Sequence, residues 1–180
     1  MNKTLKIASI AAIITAALMI PVFGFAVALD VFKENITIKV ITAVLVISGI
    51  PLGILILRGY LFLANKNKLD FLKRITTIAI VFLIVVSSLE AMIIFHDITK
   101  STLLNIALLI VMGCIDILFG IAILKLKKKF GKIITGIGVI YIVQGVCMVT
   151  VILGLLIPFT GIASSILEAI LFFRAAKKYK

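Results

Sequence analysis

Between Ile133 and Phe173 the chain runs for 41 residues with a single charged side chain, Glu168. In lipid, backbone N–H and C=O groups find no water to bond, and a helix is the local structure that satisfies them from within. A helix needs roughly 20 residues to cross a hydrocarbon core of about 30 Å, so this stretch is long enough for two spans. A break near Gly154 or at Pro158-Phe-Thr-Gly161 suits it, because proline is well placed in a first helical turn, and the last span then starts near Leu155. Read the same way, the whole chain predicts helices at about 7–29, 39–60, 75–95, 102–124, 133–153 and 155–173. The fold class is therefore an all-α membrane protein, a six-transmembrane-helix bundle forming one integral membrane domain over residues 1–180.

Composition excludes the soluble alternatives. Hydrophobic residues make up 63% and charged residues 14%, against roughly 45–50% and about 25% in soluble domains. A net charge of +12 would point to nucleic acid in a soluble protein, but all 19 Lys and Arg lie outside or at the edges of apolar runs. That placement reports topology, and nucleic acid is not an expected partner. Cys114 and Cys147 fall inside apolar runs and read as small buried hydrophobes, not as a disulfide framework. One His with two separated Cys provides no metal cluster. Phosphate loops and the HExxH, GxSxG and CxxC motifs are all missing from the sequence, so neither an enzyme nor a cofactor is expected.

Charge sets the expected orientation. With six crossings, one side holds sixteen Lys and Arg and the other holds Lys33, Lys39 and Lys100. Basic loops stay in the cytoplasm, which predicts a multi-pass protein of the cell membrane with both N- and C-termini cytoplasmic. The first span has a rival reading as a cleavable secretory signal, with Lys3 and Lys6 ahead of an apolar stretch and Ala26-Val27-Ala28 as a small-x-small site. Lys125, Lys127, Lys128 and Lys129 form the densest basic turn and are placed to meet anionic lipid heads, although topology alone accounts for them. Pro21 with Gly24, and Pro51, are expected bends, and Arg58 and Tyr60 read as interfacial anchors.

The basic turns resemble one another. Gly53-Ile-Leu-Ile-Leu-Arg58, Gly120-Ile-Ala-Ile-Leu-Lys125 and Ala169-Ile-Leu-Phe-Phe-Arg174 each set a small residue five before a base. Phe71-Leu-Lys-Arg-Ile-Thr76 and Phe130-Gly-Lys-Ile-Ile-Thr135 match on the way back in. These similarities fit three parallel helical-hairpin repeats. Small residues that would let helices approach are Ala8, Ala12 and Ala16 in the first span, Gly49 and Gly53 in the second, and Gly113 and Gly120 in the fourth.

Burying an aspartate at a helix centre costs about 2.5–3.5 kcal/mol even on insertion scales, so intramembrane acids are functional candidates by default. On ideal helices Asp116 lies roughly 13 Å beyond Lys125, Gln144 roughly 18 Å beyond Lys132, and Glu168 about 9 Å before Arg174. Asp116 shares a face with Gly113 and Gly120, and Glu168 with Ser164 and Ser165. The candidate polar patch is thus Asp116, Gln144 and Glu168, and Glu90 and His96 are candidates nearer the outer side. Two readings stay open. The patch binds a cation, a proton or a polar substrate in a transport-related component, or it ties helices together in a dry bundle that serves interaction or assembly, with a membrane protein or a second copy as partner.

In length, helix number, cytoplasmic ends and the stripe Ala8, Ala12, Ala16, the chain resembles the membrane-embedded substrate-binding subunits of energy-coupling-factor transporters. The resemblance implies that the stripe docks on a partner subunit. The glycine-rich and aromatic loops expected for vitamin capture are not evident in this sequence.

Reporter fusions at residues 68 and 99 should report opposite sides of the membrane, and the same sidedness at both would exclude six crossings.

Overall fold

The structure is a computed structural model that describes residues 2–32, 35–96, 102–150 and 156–179. Its secondary structure is all helical among the described residues: α1 Lys3–Val31, α2 Ile36–Lys66, α3 Asp70–His96, α4 Thr102–Leu124, the single turn α5 Lys127–Phe130, α6 Lys132–Thr150 and α7 Ile157–Lys178. All except α5 are long and apolar enough to cross a membrane. The chain is a multi-pass, all-α membrane protein. The break near Gly154, the span start near Leu155 and the loop residues Lys33 and Lys100 lie outside the described residues.

Several helices run further than the apolar runs alone indicate. Helix α2 continues past Arg58 to Lys66, because Ile56, Tyr60, Leu63 and Ala64 keep a buried face going while Arg58 and Lys66 stay on exposed positions. The stretch left between the expected second and third spans shrinks to a tight turn around Lys68, whose φ of 53° is left-handed, and the Leu69 N–H bonds back to the Ala64 carbonyl at 2.9 Å. At the other basic turn Leu126 is buried between exposed lysines, and Gly131, at φ 62°, takes the left-handed conformation that ends α5. Helix α1 runs through Pro21 and α2 through Pro51 without ending, and Pro158 sits in the first turn of α7.

Each spanning helix packs on its sequence neighbours, and α7 returns to pack on α1, so the six form a closed ring. The four basic segments meet at one end. The Asn2 N–H bonds to the Ala176 carbonyl at 3.1 Å, the Tyr179 hydroxyl donates to Asn67 Oδ1 at 3.2 Å, and Lys178 Nζ donates to the Lys129 carbonyl at 3.4 Å. The main cluster of buried residues occupies the half of the bundle next to this end, in residues 5–12, 56–64, 72–75, 119–126, 134–137 and 169–176. Ile7, Ile13, Val44, Val81, Ile121 and Phe173, among others, face outward to lipid. So does Cys114, contrary to its reading as a buried residue, because Gly113 beside it is the position that faces α6.

Apolar side chains gain little by leaving lipid for one another, so close backbone approach carries much of the helix association. The tightest approach joins α4 and α6. An added Cβ at Gly145 would lie 2.4 Å from the Gly113 carbonyl oxygen, and one at Gly120 would lie 2.7 Å from the Gly138 carbonyl oxygen. Two antiparallel helices thus match glycines seven residues apart. The α3/α4 and α6/α7 contacts are the lightest in the ring. Gly53 meets the Leu83 side chain of α3, whereas a Cβ on Gly49 would touch nothing within 4 Å. Gly49 faces open space because it borders the cavity described below.

The alanine stripe of α1 is occupied within the chain itself. Ala8 and Ala12 are 0% exposed, and a Cβ on Gly59 of α2 would lie 2.8 Å from Ala8 Cβ. Only Ala16 is half-buried. The reading of the stripe as an outer docking surface is corrected: α1 lies between α2 and α7, and its small residues let those helices close on it.

Gly145→Val should cost about 1–3 kcal/mol by overpacking, whereas Gly49→Ala should leave stability within about 0.5 kcal/mol of the parent, as for changes outside packed features. Reversible unfolding in mixed micelles measures both. Equal effects at the two sites would remove the glycine contact as the α4/α6 determinant.

Candidate functional site

Above the packed half, the ring encloses a partly open cavity of about 380 Å³ to which all six spans contribute. Its lower end is built from α2, α4, α6 and α7. Phe119 stands edge-on between Tyr60 and Tyr141, with ring centroids 5.1 and 5.0 Å away, and Tyr60 stands edge-on to Phe172 at 5.0 Å. These rings close the bundle toward the basic end, in the T-shaped geometry that aromatic quadrupoles favour. The cavity extends the other way as far as Leu45, Val22 and Glu90, and Glu90 lies about 9 Å from the end of α3 at helical rise.

Glu168 sits on this floor and is only 2% exposed. The Tyr60 hydroxyl donates to its Oε1 at 2.9 Å and the Tyr141 hydroxyl donates to the same atom at 2.7 Å. No donor among the described residues reaches Oε2. One helical step along α6 from Tyr141, Gln144 donates its amide Nε2 to Asp116 Oδ2 at 3.2 Å. The Gln144 carbonyl oxygen is shielded from solvent and has no partner among the described residues. The structure thus brings Asp116, Gln144 and Glu168 to one cavity, with Tyr141 linking the amide and the second carboxylate through its i, i+3 position on α6. Helix α7 is continuous through Arg174 and runs on to Lys178, so Glu168 lies about 9 Å before Arg174, as expected, and about 15 Å inside the end of the helix.

Glu90 is exposed and borders the cavity at its far end, one turn from the buried Ser87 that also lines it. His96 closes α3, and its side chain lies outside the described residues. Among the described lining residues the ionisable side chains other than Tyr141 are Glu90, Asp116 and Glu168, with no Lys, Arg or His. No group of three or more His, Cys, Asp or Glu among the described residues is placed to hold a metal ion.

Two members of the site were not apparent from the sequence. Tyr60, read as an interfacial anchor because it follows Arg58, is 0% exposed, and the extension of α2 to Lys66 carries it inside. The signal lay in its spacing, since Ile56, Tyr60, Leu63 and Ala64 share one face. Tyr141 gave a similar signal, three residues before Gln144. No family model matches the chain, nor does any curated protein or solved structure.

Tyr60→Phe and Tyr141→Phe should each lower stability by about 0.6 kcal/mol, and by no more than about 1.7 kcal/mol, the range of interhelical hydrogen bonds in membranes. Because both hydroxyls share one oxygen, the double variant should depart from additivity. Additive losses in a double-mutant cycle would show that the two bonds act independently.

Proposed function

We propose that this chain is a transport-related component of the cell membrane, and that its cavity admits a cation or a proton-bearing group from the end opposite the basic turns. The observation that carries this reading is the lining. A cavity walled by every span holds three carboxylates and no basic side chain among its described residues. Intramembrane acids that face a cavity are the usual marks of ion and substrate paths. By the charge asymmetry of the loops, the termini and basic turns are cytoplasmic, so the cavity faces away from the cytoplasm. Binding, and not catalysis, is the assigned role.

Passage through the protein would require the floor to part. The light α6/α7 contact is crossed by the Tyr141–Glu168 hydrogen bond, whereas α4 and α6 stay joined by their glycines. A rocking of the α4/α6 pair against α7, α1, α2 and α3 would break that bond and little else in the polar patch. The competing reading, a dry bundle in an assembly protein, draws on the same hydrogen bonds as interhelical ties.

Water access separates the two. With Cys114 and Cys147 replaced by Ala, Ser87→Cys should react with a membrane-impermeant trimethylammonium thiol reagent added to intact cells. Ile121→Cys, which faces lipid, serves as the control. A rate at least tenfold above the control is expected; a rate equal to the control would refute the cavity as a ligand path and leave the dry bundle.

A further inference from the structure

We propose that the cavity selects an amphipathic amine, a protonated ammonium group carrying an apolar body, with the ammonium seated between Glu168 and Asp116. This rests on reading the cavity as a water-accessible ligand site and adds the class of ligand.

The charged groups of the floor are one-sided. Both tyrosine hydroxyls are spent on Glu168 Oε1, and the described Gln144 amide bond goes to Asp116 Oδ2. Left without a donor among the described residues are Glu168 Oε2 and the second oxygen of Asp116, beside the hydroxyls of Ser164 and Ser165 and no cationic group, while the Gln144 carbonyl oxygen is shielded from solvent. A buried acceptor without a donor carries a desolvation cost that a ligand donor relieves. An ammonium group supplies three N–H donors and no acceptor, and its charge opposes the two carboxylates at close range. An anionic or acceptor-rich ligand would add to the imbalance.

Size and walls specify the rest of the molecule. The cavity of about 380 Å³ falls within the roughly 300–1,000 Å³ range of sites for drug-sized ligands, far more than one bare ion fills. Above the floor it is lined mostly by Met19, Val22, Leu45, Val46, Phe82 and Met112, which offer polarizable and apolar contacts, with Thr15 and Ser87 among them. Phe119 and Tyr141 line it at the level of the carboxylates. Glu90, at the far end, favours positive charge on the way in.

The test uses the purified full chain in detergent and equilibrium dialysis with 4-phenylbutylamine and its neutral counterpart 4-phenylbutanol. The parent protein should bind the amine at least tenfold more tightly than the alcohol, a comparison that needs no variant to fold. Glu168→Gln should reduce amine affinity at least tenfold and alcohol affinity by a smaller factor. The amine should also slow modification of Ser87→Cys, and the alcohol should not. Equal binding of amine and alcohol, or binding of neither, overturns the proposal. If Ser87→Cys nonetheless reacts rapidly, only the ligand class has failed; if it is inert as well, the cavity reading fails with it.

Discussion

A carboxylate that is 2% exposed inside a membrane bundle has to be compensated where it sits, because lipid offers it nothing. Two phenol hydroxyls on one Glu168 oxygen, from α2 and α6, supply that compensation. Those bonds in turn require Tyr60 to lie inside the ring, and hence α2 to continue past its interfacial arginine. They also require α6 to present Tyr141 toward α7, which places Gln144 against Asp116 one step further along. The aromatic floor, the polar patch and the lower limit of the cavity follow from meeting the needs of one acid.

The bundle divides along its length for a related reason. Toward the basic turns, alanines and glycines let helices close on one another, and large side chains such as Leu5, Leu63, Leu72 and Phe172 fill the interior. Past the floor the inward positions carry serine, glycine or medium apolar side chains, and the ring holds space instead of a core. The α4/α6 pair is the exception, remaining in contact through Gly113 and Gly145 beyond the level of the floor. This contrast in packing makes one pair stiff and leaves its borders with α3 and α7 the easiest places to yield.

Much was legible in the chain because lipid imposes few solutions. Apolar runs bounded by lysines announce spans, and the parity of the basic turns puts those turns at one end. The structure agrees, with Asn2, Asn67, Lys129 and Ala176 drawn together there. Asp116, Gln144 and Glu168 stood out because acids and amides are costly in such runs. Tyr60 and Tyr141 did not, since tyrosine is ordinary near a membrane interface and only an exact helix end tells an anchor from a buried donor. The alanine stripe was legible as a place of close approach, but small residues do not announce the identity of the helix that approaches, and the partner subunit implied by the resemblance gave way to α2 and α7.

By itself, then, the sequence determined that the protein is helical, how many spans it has and which residues carry a cost that demands a partner, because these depend on local hydropathy and on backbone bonds closed within each helix. Only the tertiary structure decided which donors meet Glu168, that α1 spends its alanines inside the chain, and that a cavity survives above the floor. Those outcomes depend on the rotation of each helix about its own axis and on the volume left between helices far apart in sequence, which no single stretch of the chain encodes.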